Sequence, residues 1–395
     1  MRIGFSTSVI QRGQTGIAQY VFSLLQALAM HRDHEFVLFV LERDLPLFEF
    51  ASRRMTIVPV PERYRCPVAD ILWHQTELPR LVQTQQLDVV HVPSYRRMLW
   101  RSPCPRVATI HDLAAFHVSR KYDWKRMLYG RVVAARLARA QEELIAVSRN
   151  TAKDMKQFWN IPTERVTVIH HGLNLRRFSP RDEPPGGPQP FGIEQPFFLY
   201  VARLEHPGKN HVRLIHAFER FKMETRSPWQ LALAGSDWHG ADVIHETIAQ
   251  SWACRDIHTL GFVSADALPR LYQAASVFVY PSLHEGFGFP PLEAMASGCP
   301  VLCSSRGALE EVVGNAAVTI NPEDVDALKN EMVRLSTDEE LRNRLTRAGL
   351  QWSKQFDWAR AAEKTLAVYH RARLKNQKHR DSAPLPLPAS IWRTQ

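Results

Sequence analysis

The sequence predicts an α/β protein built on two doubly wound parallel sheets, and three observations carry that prediction. Short apolar runs (RIGFS, EFVLFV, MTIVPV, LDVVHV, RVATIH, ELIAVS and RVTVIH) recur through residues 1–180, separated by loops or amphipathic stretches. Such alternation indicates parallel strands with helices packed on both faces. From Ser179 to Gln195 the chain reads SPRDEPPGGPQPFGIEQ, rich in Pro and Gly and without periodicity, which marks a linker. Beyond it the alternation restarts with PFFLYVA, WQLALAGS, IHTLGFVS, SVFVYPS and CPVLCS. The expected divisions are residues 1–180 for a first Rossmann-like domain, 181–195 for the linker and 196–355 for a second such domain. A final helix is expected over 356–374, and a disordered tail over 375–395 where charge and Pro mix.

Taken in order, RIGFS leads into a loop, Gln11 to Gly16, that carries Gly13 and Gly16. Ile17, Tyr20, Val21, Leu24, Leu25 and Leu28 then repeat at three and four residues, the apolar stripe of a helix packed on a sheet. Strand, glycine loop and helix open a nucleotide-binding type of unit, but GQTG is not GxGxxG, and Gly16 alone is equally a turn glycine. TIHD sets His111 just past a strand end, where sites form in such sheets and where hydrogen-bonded surface histidines also occur.

In the second half, Arg203 leaves a strand end and Lys209 follows Gly208 at the start of the helix NHVRLIHAFERF. Each alone reads as a surface charge; together, across a glycine turn, they suit a diphosphate whose charge grows as a bond to it breaks. Val277 to Ser304 reads as strand, glycine loop, short helix and strand. Gly286 and Gly288 allow close backbone approach to a ligand, and Pro290-Pro291 suits a first helical turn. Glu285 and Glu293 then converge on one ligand from the loop and the first turn, and as pure acceptors they suit hydroxyl-rich groups. The plainer reading of Glu293 is that it complements its own helix dipole. LKNEMVRL, DEELRNRLTRAGL and FDWARAAEKTLAVYHRAR are the remaining helices, and Asp324-Val-Asp326 is read as structural first-turn acid.

Composition narrows the function. With 45% hydrophobic residues the chain fills two or three sizeable cores, no apolar run reaches a membrane span, and MRIGFSTSVI enters a strand instead of a signal peptide, so a cytoplasmic protein is expected. The five cysteines, with Cys299 and Cys303 in a buried strand, read as reduced core residues. Without HExxH, P-loop or paired-cysteine patterns, and with Arg203, Lys209 and helix ends to meet phosphate charge, no essential metal is expected. Residues 1–180 hold 26 Lys and Arg against 15 Asp and Glu, which points to an anionic partner for the first domain. Arg120, Lys121, Lys125, Arg126, Arg131, Arg136 and Arg139, interleaved with Trp124, Met127, Leu128 and Tyr129, form a basic stretch suited to an anionic membrane surface; Gly130 argues against one unbroken helix there. The interleaving of an RNA-binding module is absent, so nucleic acid is not the expected partner.

PSLHEGFGFPPLEAMASGCPV closely resembles the E-x7-E signature of glycosyltransferase family 4, retaining enzymes of the GT-B fold that use nucleotide-sugar donors, and the resemblance extends along nearly the whole chain. It implies that Glu285 contacts donor sugar hydroxyls, Glu293 the ribose, and the backbone of Gly286, Phe287 and Gly288 the sugar and phosphate. Arg203 and Lys209 match the family's R-x5-K diphosphate clamp. The loop with Gly16 resembles the family's glycine-rich loop near the diphosphate, His111 its histidine near the donor sugar, and the turn Gly261, Phe262, Val263 its border to the base. HHGLNLRRFSP resembles the segment closing the first domain, and the last long helix crosses back to that domain in this fold. The catalytic set so implied is Glu285, His111, Arg203 and Lys209, with no cofactor beyond the nucleotide-sugar co-substrate and a glycan or lipid-linked acceptor. GQTGIAQY and TIHD resemble bacterial polysaccharide mannosyltransferases, which implies GDP-mannose, with a UDP-hexose as the alternative. A nucleotide-sugar epimerase or a pyridoxal-dependent phosphorylase of the same fold are the competing enzyme classes.

Overall fold

The computed structural model describes residues 1–13, 15–118, 127–180 and 190–381. The apolar runs of the first half become β1 (Arg2–Ser6), β2 (Glu35–Leu41), β3 (Thr56–Val60), β4 (Val89–Val92), β5 (Arg106–Ile110), β6 (Glu143–Ala146) and β7 (Val166–Val168). They pair in parallel as one seven-stranded sheet in the order β3-β2-β1-β4-β5-β6-β7. The second half supplies β8 (Phe197–Val201), β9 (Gln230–Ala234), β10 (Ile257–Gly261), β11 (Val277–Tyr280), β12 (Val301–Ser304) and β13 (Val318–Ile320). These form a six-stranded parallel sheet in the order β10-β9-β8-β11-β12-β13. The edge strand β13 is not anticipated from sequence, because three residues, one of them the polar Thr319, are too short a run to read despite the Asn321-Pro322 breaker that follows.

In each sheet the winding reverses beside its first strand: β1 lies between β2 and β4, and β8 between β9 and β11. The carboxyl ends at such a reversal form the crevice where doubly wound sheets bind ligands.

The helix Gly16–Leu28 buries Tyr20, Val21, Leu24, Leu25 and Leu28 against the first sheet, while Ile17 is only partly covered. Thr15 caps it by accepting from the Ala18 amide. The helix Trp358–Asp381 joins the same core through Ala361, Ala362, Leu366 and Tyr369, and the Tyr369 hydroxyl meets His91 Nδ1 at 2.7 Å. It runs past the expected end at 374. Residues 375–381 continue the helix because Lys, Gln and Arg are good helix formers and Lys375 pairs with Glu143 of β6 at 2.7 Å.

Residues 181–189 of the expected linker lie outside the described residues. Its end does not behave as linker: Pro190–Gly192 make a 3-10 turn and Ile193 is buried in the second core. Arg120 to Arg126 of the basic stretch are likewise outside the described residues. From Met127 to Arg139 the chain is continuously helical, so Gly130 does not break it. Instead Tyr129–Ala134 widens to π register, and the Gly130 carbonyl accepts from the Trp159 indole at 2.9 Å. Among the described residues no helix is long and apolar enough to cross a membrane.

Candidate active site

The second domain contributes the charged half of the crevice. Past β8 the chain runs through Ala202 to Arg203, whose guanidinium stacks 4.4 Å over the Trp238 indole. Gly235 lets β9 end close beside this turn, since a β-carbon there would stand 1.9 Å from the Ala202 carbonyl oxygen. The Gly235 amide also donates to the Gly261 carbonyl at 2.8 Å, which ties the Gly261-Phe262-Val263 turn to the Arg203 strand end. Gly261 faces open space at φ 63°, the Phe262 ring is 63% exposed, and Val263 packs partly on the second core.

Lys209 and Glu285 meet directly, Nζ to Oε1 at 2.6 Å. The same Oε1 accepts from Ser282 Oγ at 2.6 Å and from the Tyr280 hydroxyl at 3.0 Å. Burial alone would lower the Lys209 pKa, but the Glu285 charge outweighs it and the ammonium is held above its usual range. Burial, then the Glu285 charge, push the Tyr280 phenol well up, so it remains a donor. Asn210 fixes this junction by donating to the carbonyls of Pro281 at 3.0 Å and Pro322 at 2.7 Å.

Gly288 at φ 119° starts the helix Phe289–Ala296, so the first turn is complete before Glu293 and contains no acid. The expectation of Glu293 in the first turn is corrected: the positive φ begins the helix at Phe289, ahead of the proline pair. Dipole complementation is thereby displaced as its role. The Glu293 carboxylate is 4% exposed, with Oε1 accepting from Gln19 Nε2 at 3.2 Å and Oε2 from the Tyr272 hydroxyl at 3.0 Å. Burial raises its pKa despite both donors. Glu285 and Glu293 therefore frame the loop with separate sets of partners, and Gln19 reaches Glu293 from the first domain.

That domain places Gly16 at the first position of its helix, opposite the Phe289 ring; a β-carbon on Gly16 would make an ordinary 3.7 Å contact with it. His111 follows β5, edge-on to Tyr20 with ring centroids 4.7 Å apart. Burial lowers its pKa to about 4, against the nearby Asp112 charge and a hydrogen bond to the Pro93 carbonyl, so the imidazole is neutral at pH 7; Nε2 is buried without a partner. The His111 carbonyl is the surface on which Gly286 seats, and Thr151 Oγ1 lies 3.4 Å from both the His111 and Gly286 oxygens. His171 adds an aromatic seam, stacking on Phe289 at 5.0 Å and on Trp358 at 5.8 Å. The structure thus brings His111 to the Glu285 loop, Lys209 to Glu285, and Gly16 to Phe289, while Arg203 sits apart on Trp238.

Sequence reasoning missed Gln19, Tyr272, Tyr280, Ser282, Trp238 and His171. Tyr280 and Ser282 flank Pro281 just ahead of the glycine loop, and Gln19 is a polar break beside an apolar stripe; these were findable signals. Tyr272 reads as core. Asp324 caps its helix by accepting from the Ala327 amide, and Asp326 pairs with Arg220 at 2.6 Å, which accounts for both acids. All five cysteines are free, and burial pushes the Cys299 and Cys303 thiols up.

Comparison with known proteins gives these positions a context. The chain matches the family models "Glycosyltransferase Family 4" over residues 14–177 and "Glycosyl transferases group 1" over residues 188–352. It is 29% identical over 388 residues to the O-antigen chain mannosyltransferase B of Escherichia coli, covering 93% of this chain and 99% of that one. It is 31% identical over 281 residues to the MMP alpha-(1->4)-mannosyltransferase of Mycolicibacterium hassiacum, covering 68% of this chain and 66% of that one. Among solved structures, Anabaena Alr3699/HepE in complex with UDP-glucose superposes with a TM-score of 0.71 at 19% identity, over 96% of this chain and 100% of that one. One family model lies over the first sheet from residue 14, after β1, and the other over the whole of the second, so this chain belongs to the glycosyltransferases of family 4, with their two-domain GT-B fold.

Proposed function

We propose that this glycosyltransferase moves a hexose, with retention of anomeric configuration, from a nucleotide sugar to a glycan or lipid-linked acceptor during synthesis of a cell-surface polysaccharide. The observation that carries the reading is the Lys209–Glu285 pair: a fixed cation for a diphosphate beside an acceptor for sugar hydroxyls, at the carboxyl end of β8 and β11. Lys209 and Arg203 stabilise the departing diphosphate, Glu285 and His111 hold the sugar, and Glu293 takes a ribose hydroxyl. The backbone of Gly286, Phe287 and Gly288 lies along the sugar and phosphate, with Gly16 opposite and the Gly261-Phe262-Val263 turn against the base.

Double displacement needs a free carboxylate nucleophile and a second carboxyl about 5 Å away. Glu285 Oε1 already accepts from three donors, which suits holding instead of attack. Front-face departure fits better: the bond from the anomeric carbon to the diphosphate oxygen breaks, that to the acceptor oxygen forms on the same face, and the acceptor proton passes to the diphosphate. This chemistry calls on no metal, and activity is expected to survive excess EDTA.

The mannosyltransferase relatives favour GDP-mannose. The fold shared with the UDP-glucose complex of HepE keeps a UDP-hexose as the second reading. Thermal-shift titration with GDP, UDP and ADP discriminates them, since a ligand of the folded state raises its melting temperature. A larger shift with UDP than with GDP removes mannose, and an inverted linkage in the product NMR spectrum removes retention. The protein acts in the cytoplasm, peripheral on the inner membrane face, where Leu128, Val132 and Val133 stand 54%, 39% and 41% exposed beside Arg131 and Arg136. Flotation with anionic but not neutral liposomes at low salt is the expected result; flotation with neither removes the membrane.

A further inference from the structure

Where the chain leaves the second domain for the helix Trp358–Asp381, the surface holds a cavity of about 280 Å3. That is a little below the roughly 300–1,000 Å3 of small-molecule pockets. Arg149 and His170 line it from the first domain, Glu311 and Phe356 from the second, and Arg360 and Lys364 from the helix. The side chains of Arg149, Arg360 and Lys364 are in no ion pair or hydrogen bond among the described residues.

Charge around this cavity is unbalanced. Its two acids are already matched by helix starts. Glu311 accepts from the Arg149 and Asn150 amides that open the helix Arg149–Trp159, at 3.0 and 3.2 Å, and also holds His170 Nε2 at 2.6 Å. Asp357 Oδ1 accepts from the Ala359 amide at 2.9 Å. Three cations therefore face one space without a counterion, and Arg360 and Lys364, four residues apart on one helix, repel each other. Alone, each is an ordinary solvated charge. Gathered around one cavity, they suit a multiply charged oxyanion, which several N–H donors bind at once. The start of the long helix adds its positive dipole end on the same side. His171 lines the cavity too, 3% exposed, and its Nδ1 is buried with no hydrogen-bond partner. Burial lowers its pKa well below the usual range, so the ring is neutral and carries one N–H to donate.

We propose that this cavity binds the phosphate group of a small anion between Arg149, Arg360 and Lys364, and that the bound anion pins the hinge between the domains. The site is separate from the donor crevice at Lys209 and Glu285 and takes no part in sugar transfer. Occupancy joins the first domain to residues 355–357, by which the chain leaves the second. It thereby favours the arrangement in which Glu311 reaches the Arg149 and Asn150 amides.

The test is calorimetric titration of the full chain at low salt with inorganic phosphate and with glycerol 3-phosphate. The ester is expected to bind more tightly, because Trp352 and Phe356 give the cavity an apolar wall. R149Q and R360Q/K364Q keep helix-forming residues at exposed positions. Each should lose about tenfold in affinity, the scale of one charge-assisted hydrogen bond. R220Q/R334Q, which removes two cations from exposed ion pairs elsewhere, should bind as the wild type does. Because the donor crevice is intact in every variant, phosphate held there cancels from the comparison. Equal affinity in the wild type, R149Q and R360Q/K364Q, or no binding by the wild type, overturns the site. Tighter binding of inorganic phosphate overturns the ester and leaves the free ion as the ligand. Bound anion that does not slow hydrogen exchange at the Arg149 and Asn150 amides overturns the pinned hinge.

Discussion

Gly286 and the His111 carbonyl approach so closely that a β-carbon on Gly286 would stand 1.8 Å from that oxygen. The donor loop of the second domain thus seats on a strand end of the first, and glycine is what permits it. Gly286→Ala should leave each domain folded but force the cleft ajar. A displacement of about 1 Å at a reacting centre costs roughly 10²-fold in rate, so kcat/KM should fall by about that much, with an unchanged circular dichroism spectrum and a larger radius of gyration. Wild-type turnover in this variant would mean that the closed contact is not the working one. Gly16→Ala is the control for closure alone: its β-carbon meets only an ordinary 3.7 Å contact with Phe289, so the radius of gyration should stay at the wild-type value.

This contact shows where sequence reasoning stops. Parallel strands write themselves as short apolar runs, so twelve of the thirteen among the described residues were legible, and the glycines and glutamates of 285–293 stood out by type and spacing. What Gly286 meets was not legible, because His111 lies far away in sequence and contributes its backbone, which carries no residue identity. Glu293 was found for its chemistry and misplaced by one turn, since the φ of Gly288 sets the helix start. Tyr272 was missed because a buried tyrosine in an apolar helix reads as core until its hydroxyl is seen on Glu293.

Lys209 and Glu285 separate catalysis from stability. Lys209→Ala removes charge from the leaving diphosphate and should lower kcat by about 10²-fold or more, with a smaller change in donor KM. It also removes the countercharge of the Glu285 carboxylate, only 17% exposed, and leaves it to neutral donors such as Ser282 and Tyr280, which costs about 3 kcal/mol on the scale of a broken buried pair. Lys209→Met combined with Glu285→Gln should recover most of that stability in urea melts while remaining inactive. Recovery of activity along with stability would show that Lys209 serves the fold alone.

Glu293 carries a pH signature of the opposite kind. Its folded-state pKa is raised by burial, so the folded protein holds this proton where the unfolded chain has released it. Stability is therefore greatest below the unfolded carboxylate pKa and declines as pH rises through the folded value. Glu293→Gln should remove the decline, melting above the wild type at pH 8 and level with it at pH 4, while donor KM rises because a ribose acceptor is lost. A melting difference that does not change with pH would show that the carboxylate is not held against its ionisation.

Glu311 works across the domains in the other direction. From the helix Leu309–Val313 its carboxylate accepts from the first-domain amides of Arg149 at 3.0 Å and Asn150 at 3.2 Å, and meets His170 Nε2 at 2.6 Å. Ser148 already accepts from the Thr151 amide, so Glu311 supplies the two amide partners that the start of the helix Arg149–Trp159 otherwise lacks. Burial would raise its pKa, but the hydrogen bonds from His170 and the Arg149 amide outweigh it, and the folded value lies below the usual range. A depressed carboxylate pKa stabilises fully above the unfolded value, about 4.3 for Glu, and loses that contribution as pH falls through the folded value. Glu311→Gln should therefore cost about 1 kcal/mol or more at pH 7, on the scale of a lost cap, and almost nothing at pH 2.5. Because the lost bonds cross the cleft, the variant should also open more readily, with faster hydrogen exchange at the Arg149 and Asn150 amides. Equal destabilisation at both pH values would leave only a packing role for the side chain.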